Sequence, residues 1–340
     1  RQPRHTPLMT SRGEFQRLAD LGRHLAGSSP TVPVGVGDDA AVVRVGAQDV
    51  VVCVDVIVDG VHFRTDLSSP ADVGWKAVAV NVSDLAAMGA IPQAAVVGLQ
   101  RSPDLTEEAI DQLYAGMAEA GREWGVAIVG GDTVTAPVWS VSLTAIGRPA
   151  AASITRGGAR PGDRLVLVGP LGAAAAALWA DGEGLPVPDD LLAAHRRPRA
   201  LPSSGVVLAR AGATAMIDLS DGLGADAGHV ARASGVDLRI DRTAAMAAVP
   251  STVVDLLPED LLARVALGGG EDFALLAAVP ADRVDACEGA LTESAEAPWR
   301  WIGTVEPPAG PSTPAVWLHT PADTSAGPPE RIDTRGYDHG

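Results

Sequence analysis

One stretch constrains the fold more than any other: residues 50–58 have the sequence VVVCVDVIV, a β-branched run with an aspartate, Asp55, near its centre. Such a run, bounded by glycines, is typical of a strand buried within a sheet. Patterns of helical period follow from Pro70 to Gly89 and from Thr106 to Glu123. Because strand and helix patterns alternate along the chain, the sequence predicts an α/β (α+β) fold.

The alternation continues through the rest of the chain. Strand patterns at residues 126–129 and 138–146 flank Gly130-Gly131-Asp132, which is predicted as a turn, and residues 191–210 are predicted as a helix with a proline-marked interruption. The Gly- and Pro-rich segment from Arg156 to Asp163 is the best candidate for an interdomain linker. The 340 residues exceed the roughly 250–300 that one core supports. We therefore predict α/β domains at 13–150 and 151–310, and a C-terminal strand and tail at 311–340.

The charge of the chain excludes several classes of function. With 42 acidic and 26 basic side chains, and a formal charge of −16, it offers no favourable field to nucleic acid or to an anionic membrane surface. No apolar run reaches the roughly 18 residues that a membrane span needs. The two cysteines form neither a disulfide framework nor a CxxC zinc site, and the protein is predicted to be cytoplasmic.

Lysine usage excludes two common ways of holding ATP. Lys76 is the only lysine in the chain, and its surroundings, Gly-Trp-Lys-Ala, do not match the P-loop pattern. The pairing of a strand lysine with an H-R-D loop, which defines protein kinases, is missing as well. A chain of this sequence must hold any nucleotide by another route.

Acidic residues lie inside apolar or Gly-rich stretches, where most proteins avoid them. A buried carboxylate stays ionised only if it is paired with a cation, and a chain with one lysine favours a divalent metal for that purpose. Oxygen ligands select hard cations, Mg²⁺ first among them. The acids concerned are Asp38, Asp39, Asp55, Asp84, Asp132, Asp218, Asp221, Glu271 and Asp272.

Each of these motifs taken alone also has a structural explanation. The pairs Ser83-Asp84 and Ser220-Asp221 could be helix N-caps. Asp38-Asp39 and Gly130-Gly131-Asp132 could be turn residues, and His62 could be a satisfied, half-buried histidine. Six acidic clusters beside strand ends and glycine turns favour a metal site more strongly together than singly. The glycine-rich turns expose backbone N–H groups that could cradle phosphates.

Several blocks in this sequence resemble the thiamine-monophosphate kinase family, and they occur in the family's order over nearly the whole chain. The most specific are NVSDLAAMGA at 81–90 and DLSDGL at 218–223. Further matches are GDDAA at 37–41, DGVHF at 59–63, GGDT at 130–133, TR at 155–156, GARPGD at 158–163, GGEDF at 269–273 and GYDH at 336–339.

The resemblance implies an aminoimidazole-ribotide-synthetase-like fold with two α/β domains, in which the N-terminal sheets of two subunits form a barrel across a homodimer. It implies the reaction ATP + thiamine phosphate → ADP + thiamine diphosphate, with several Mg²⁺ ions and ATP as co-substrate. The acceptor is then a phosphate oxygen, whose second pKa of about 6 makes it nucleophilic without a general base. We therefore predict direct in-line transfer with no phosphoenzyme.

The same resemblance implies roles for individual residues. The metal ligands would be Asp39, Cys53, Val54, Asp55, Asp84, Asp132, Asp218 and Asp221. ATP would be contacted by Gly131, Asp132, Arg156 and Ser220, and thiamine phosphate by His62, Glu271, Thr334 and Tyr337. Asp132, Arg156 and Asp218 would be the catalytic residues.

In three of these positions the chain departs from the family. Cys53 and Val54 stand where the family carries hydroxyl residues, so Val54 would bind metal through its carbonyl, and Cys53 is a poor Mg²⁺ ligand. Thr334 stands where the family has an aromatic residue over the thiamine ring, a place that Tyr337 or a tryptophan could take.

Two other functions remain open at this point. The first is a sibling activity of the same superfamily: aminoimidazole ribotide synthetase, selenophosphate synthetase or the hydrogenase-maturation dehydratase. The dehydratase needs a C-terminal cysteine, whereas this chain ends in Asp338-His339-Gly340. The second is a non-catalytic metal or nucleotide sensor, although no EF-hand loop is present. Turnover would separate an enzyme from a sensor.

Overall fold

A computed structural model describes residues 29–310, 314–320 and 330–332 of the protein. The first sheet consists of β1 (Ala41–Val45), β2 (Gln48–Val58), β3 (Ala90–Arg101), β4 (Ala127–Thr135) and β5 (Ser140–Pro149). Their order is β1-β2-β5-β3-β4, with β3 and β4 parallel and the other neighbours antiparallel. Helices α1 (Pro70–Ala87) and α2 (Glu107–Trp124) share an apolar core with this sheet.

The second sheet is larger and lies between two apolar cores. Its strands are β6 (Arg164–Val168), β7 (Ala215–Asp218), β8 (Asp237–Asp241), β9 (Leu275–Val279), β10 (Trp299–Glu306), β11 (Val316–His319) and β12 (Glu330–Arg331), in the order β12-β11-β8-β10-β6-β9-β7. The helices are α3 (Ala173–Gly182), α4 (Asp189–Arg196), α5 (Pro202–Ala211), α6 (Leu223–Ser234), α7 (Arg242–Met246), α8 (Ser251–Leu256), α9 (Glu259–Gly268) and α10 (Val284–Ser294). The predicted mixed α/β fold with two sheets is confirmed, and the described residues contain no closed barrel.

Helix α1 connects the two halves of the molecule. Ser69 caps its first turn in a capping box closed by Asp72, and Pro70 occupies the first helical position, where its missing N–H costs nothing. The helix is buried almost along its whole length and packs against α2, the first sheet, α5 and β7. At the crossing with α5, a Cβ on Gly205 would lie 2.1 Å from the carbonyl oxygen of Ala86. Residues near the C-terminal end of α1, such as Ser83 and Ala86, therefore contact the second half of the molecule.

Two interpretations of local structure are corrected. Gly130-Gly131-Asp132 lies inside β4 and is not a turn, because the close approach of the β3 backbone requires a residue without a side chain at Gly131. The pair Ser83-Asp84 lies in the last turns of α1, so it is not an N-cap. The interruption predicted within residues 191–210 is confirmed, because this segment is divided between α4 and α5. In the part of the chain that the structure describes, no helix is long and apolar enough to cross a membrane.

Candidate active site between the two sheets

Three carboxylates from distant parts of the sequence meet where α1 passes the second sheet. Asp39 precedes β1, Asp84 lies near the end of α1, and Asp218 ends β7. One oxygen of each lies within 4.8 Å of the other two, and we call these residues the acidic cluster. Asp39 and Asp218 are buried, and Asp84 is half-buried. The fold thus brings together three of the acids that the sequence analysis singled out.

Burial sets the protonation of the acidic cluster. It raises the pKa of Asp218 to about 7, the nearby Asp39 charge adds to this, and a hydrogen bond from the Ser83 hydroxyl (2.5 Å) opposes it. Burial and the neighbouring charges of Asp55 and Asp218 raise the pKa of Asp84 well above its usual range. The cluster therefore resists carrying its full negative charge unless a cation compensates it.

Asp55 adjoins the cluster from the centre of β2. Its backbone N–H donates to the side-chain oxygen of Asn81 on α1 (3.2 Å), which ties β2 to the helix. Burial raises its pKa to about 6, a hydrogen bond with Asp84 opposes the rise, and the Asp39 charge adds to it. Burial therefore raises the pKa of all four acids, Asp39, Asp55, Asp84 and Asp218.

Arg156 provides the one cation that contacts Asp39 among the described residues. Its Nη2 and Nε donate to Asp39 Oδ1 at 2.5 and 3.2 Å, and its backbone N–H donates to the Asp38 carboxylate. Burial would lower the pKa of this guanidinium, but the charge of Asp39 and its hydrogen bond raise it. The predicted linker segment therefore delivers a charged side chain to the cluster.

The donor set of the cluster fits a hard divalent cation. Asp39 Oδ2 is buried and has no hydrogen-bond partner in the described part of the chain. Leaving a buried carboxylate oxygen unpaired is costly, whereas coordination of a metal would satisfy it. All ligands offered by the cluster are carboxylate oxygens, the kind that Mg²⁺ prefers.

A pair of loops forms one wall beside the cluster. The segment at Ser220 and Asp221 packs against the segment at 268–273, where Glu271 N–H donates to the Ser220 carbonyl (2.8 Å). Glu271 has φ 67°, in the left-handed region that few non-glycine residues adopt. Such strained backbone at a carboxylate beside a polar cluster is typical of a functional site.

Asp226 supports this wall from beneath. It lies in the first turn of α6 and accepts a hydrogen bond from the backbone N–H of Asp221 (3.1 Å). Burial, together with the charges of Asp221 and Asp218, raises its pKa well above the usual range. The sequence analysis did not single out Asp226, although a first-turn acid next to DLSDG was visible.

Two of the four predicted substrate residues, His62 and Glu271, contact the single lysine. Lys76 Nζ donates to the His62 carbonyl (2.7 Å) and forms an ion pair with Glu271 Oε1 (2.5 Å). His195 Nδ1 lies 2.7 Å from the other oxygen of Glu271. Sequence reasoning missed Lys76 and His195; a charge within the apolar stretch of α1 was the available signal for the lysine.

Of the other predicted residues, Asp132 and Gly131 lie apart from the cluster, whereas the Cys53 thiol adjoins Asp84. Asp132 and Gly131 are exposed on β4, which two strands separate from β2. Cys53 is buried and its thiol donates to the Asn81 carbonyl (3.4 Å), while the Val54 side chain is exposed on the opposite face of β2. Thr334 and Tyr337, and much of the predicted tail at 311–340, lie outside the described residues.

Comparison with known proteins gives the chain its relatives. The family profiles AIR synthase related protein, N-terminal domain, and AIR synthase related protein, C-terminal domain, match residues 37–148 and 160–313. The thiamine-monophosphate kinase of Mycobacterium tuberculosis is 40% identical over 284 residues, covering 80% of this chain and 82% of that protein. That of Escherichia coli K12 is 34% identical over 339 residues, covering 96% and 98%. The solved structure of AaThiL complexed with AMPPCP and TMP has a TM-score of 0.77 at 27% identity, covering 96% and 99%.

Proposed function

The chain belongs to the thiamine-monophosphate kinase family, within the AIR synthase related proteins, and we propose that it moves the terminal phosphate of ATP directly onto thiamine phosphate with the help of Mg²⁺. The products are ADP and thiamine diphosphate. Relatives that carry the name of this kinase at up to 40% identity favour this reaction over the sibling activities of the superfamily. The acidic cluster, with its unpaired Asp39 oxygen, is the observation that supports metal assistance in this transfer.

The acidic cluster would hold the metal, together with Asp55 and, for a further ion, Asp221. When bound there, Mg²⁺ supplies positive charge that offsets both the acids and the phosphates. The carbonyl of Val54 and the residues Cys53 and Asp132 complete the proposed ligand set, with Cys53 the weakest member because its thiol is engaged with Asn81.

Residues near the cluster would bind and orient the two anions. Arg156 lies at the edge of the cluster, and its guanidinium can hold a phosphate oxygen in a bidentate way. Ser220 is exposed beside Asp218, and Gly131, exposed on β4, would contact ATP through its backbone. The task of the protein is then to bring two phosphates into line, because the acceptor oxygen needs no general base.

His62 and Glu271 would contact thiamine phosphate. Both lie on the side of the molecule where Lys76 joins the β2–α1 loop to the 268–273 loop. Asp218 ends the strand that precedes Ser220, whose carbonyl accepts from Glu271 N–H, so the proposed acceptor site directly adjoins the metal site. Thr334 and Tyr337, in the C-terminal strand and tail at 311–340, would cover the thiamine ring. The proposed domains that precede this tail are residues 13–150 and 151–310.

The first sheet would pair with that of a second subunit to form a barrel across a homodimer. Val54 and Val56 of β2 are 59% and 47% exposed, and Val129 and Val134 of β4 are 65% and 48% exposed. A surface with this many large apolar side chains is typical of a protein interface. Since its co-substrate ATP is made and used inside cells, we also propose a cytoplasmic location.

Formation of thiamine diphosphate from ATP, thiamine phosphate and Mg²⁺, followed by chromatography with fluorescence detection, tests the proposal. We expect product with the wild type and a loss of about 100-fold or more in kcat for Asp84→Asn, which removes a charged metal ligand. Asp49→Asn, which alters an exposed ion pair with Arg44, is the matched control and should keep full activity. Equal activity of Asp84→Asn and wild type would overturn the assignment of the metal site.

A further inference from the structure

Lys76 joins two loops that are far apart in the sequence. Its side chain is 2% exposed, and Nζ reaches the His62 carbonyl at 2.7 Å and Glu271 Oε1 at 2.5 Å. His62 belongs to the connection between β2 and α1, whereas Glu271 follows α9. One buried ammonium thus links His62 and Glu271, two of the residues proposed to contact thiamine phosphate.

His195 holds the same carboxylate from its other side. Its ring is 4% exposed and Nδ1 lies 2.7 Å from Glu271 Oε2. Because an ionised carboxylate only accepts hydrogen bonds, Nδ1 must carry the proton in this contact. Each oxygen of Glu271 therefore has one donor supplied by the protein.

Among the three side chains, Glu271 is the most exposed to solvent. Glu271 is 23% exposed, whereas Lys76 and His195 are nearly inaccessible. Of the three side chains, the Glu271 carboxylate is therefore the one that a ligand can reach. A carboxylate oxygen has room for two acceptor contacts, so each can meet a ligand without releasing its protein donor.

Electrostatics keep this carboxylate in its acceptor form. Burial alone would raise the pKa of Glu271, but the Lys76 ammonium and the His195 hydrogen bond outweigh it and bring the pKa to about 2. With the lysine protonated, the pair is neutral overall. Its action on a ligand therefore depends on where the oxygens are placed rather than on long-range attraction.

We propose that Lys76 and His195 are positioning residues that aim the Glu271 carboxylate at thiamine phosphate and thereby set the affinity for that substrate, without acting on the transferred phosphate. This inference rests on the proposed function. It separates the binding of the acceptor, carried by the Lys76–Glu271–His195 array, from the chemistry carried by the acidic cluster. The expected signature is a change in KM for thiamine phosphate, with kcat and the KM for ATP nearly unchanged.

The test compares Lys76→Met, His195→Ala, His195→Gln and Glu271→Gln with wild type, in steady-state kinetics and in equilibrium dialysis of thiamine phosphate. Lys76→Met and His195→Ala should raise the KM and Kd for thiamine phosphate by about tenfold or more, as the loss of a charge-assisted hydrogen bond does. His195→Gln, whose amide can still donate, should regain most of the affinity. Arg44→Met, which breaks an exposed ion pair far from this array, is the control and should leave all constants unchanged.

A double-mutant cycle distinguishes positioning from a structural role. If Lys76 acts through Glu271, then Lys76→Met added to Glu271→Gln should raise the KM for thiamine phosphate no further than Glu271→Gln alone. The inference would be overturned if the two substitutions together raised the KM for thiamine phosphate by the product of their separate effects. It would also be overturned if they lowered kcat and raised the KM for ATP to the same extent. If Lys76→Met does not fold, the His195 pair decides: an unchanged KM in His195→Ala contradicts the inference. A wild type that makes no thiamine diphosphate would instead refute the proposed function.

Discussion

The acidic cluster should make stability depend on pH and on Mg²⁺ together. We consider the stability of the protein at about pH 5.5 and at about pH 8, with a chelator present to remove divalent metal. Folding raises the pKa of Asp218 from 3.8 to about 7 and that of Asp38 to about 6. For groups whose pKa is raised in the folded state, the associated stability is fully present below the unfolded value and is lost as the pH rises through the folded value. The protein should therefore lose stability between about pH 4 and pH 7.

The size of the effect follows from the shift at Asp218. A rise from 3.8 to about 7 corresponds to about 4 kcal/mol at about 1.36 kcal/mol per pH unit, as an upper bound for that residue. Between pH 5.5 and pH 8 only the part of this shift that lies above pH 5.5 is lost, about 2 kcal/mol. At roughly 2 °C per kcal/mol for a chain of this size, the apparent Tm should fall by about 4 °C over that range. Glu271 has the opposite sign, because its pKa is lowered to about 2, but it acts only in more acidic solution.

Differential scanning fluorimetry at both pH values, with chelator and with Mg²⁺, measures this dependence. Mg²⁺ should raise the Tm more at pH 8 than at pH 5.5, because it compensates charges that are present only at the higher pH. Asp84→Asn should shrink both differences, and Asp49→Asn, at the exposed Arg44 pair, should change neither. A Tm that is equal at the two pH values, or a Mg²⁺ shift of equal size at both, would refute the argument.

Three further predictions concern packing, nucleotide and assembly. Gly205→Ala should lower the free energy of unfolding by about 1–3 kcal/mol, since its Cβ would lie 2.1 Å from the Ala86 carbonyl oxygen. Gly289→Ala, with open space around it, is the control, and a Gly205→Ala variant with the denaturation midpoint of the wild type would contradict this. Arg156→Lys should lower kcat/KM for ATP by about tenfold or more because a lysine cannot form the bidentate contact, and unchanged initial rates would count against it. Val56→Asp should shift the mass measured by light scattering from dimer to monomer, whereas a wild type already monomeric would exclude the proposed barrel.

Much of the site was predictable because buried charge is expensive. Asp55 in a valine-rich strand and Asp218 before a Ser-Asp pair both have apolar sequence neighbours. The structure brings Asp218 together with Asp39 and Asp84, and places Asp55 beside Asp84. The carboxylates were therefore identifiable one by one from local sequence. Their mutual distances were not, since they depend on α1 passing between two sheets.

The contacts that sequence reasoning missed are those between remote segments. Lys76, His195 and Glu271 lie on α1, on α4 and after α9, and nothing local in the sequence pairs them. The glycine pair before Asp132 predicts a turn because glycine is common in turns. In the structure Gly131 instead allows two strands to approach closely, because a Cβ there would lie 2.0 Å from the Val97 carbonyl oxygen. In both cases the deciding partner is distant in sequence.

The most direct test of the account is a single turnover with ATP radiolabelled in its terminal phosphate, excess enzyme, thiamine phosphate and Mg²⁺. Quenched samples are separated into nucleotide, thiamine diphosphate and protein. We expect label to pass from ATP to thiamine diphosphate at one rate, the transfer to stop when Mg²⁺ is chelated, and no label on the protein at any time. Label trapped on the protein, or transfer that continues at full rate without a divalent metal, would contradict it.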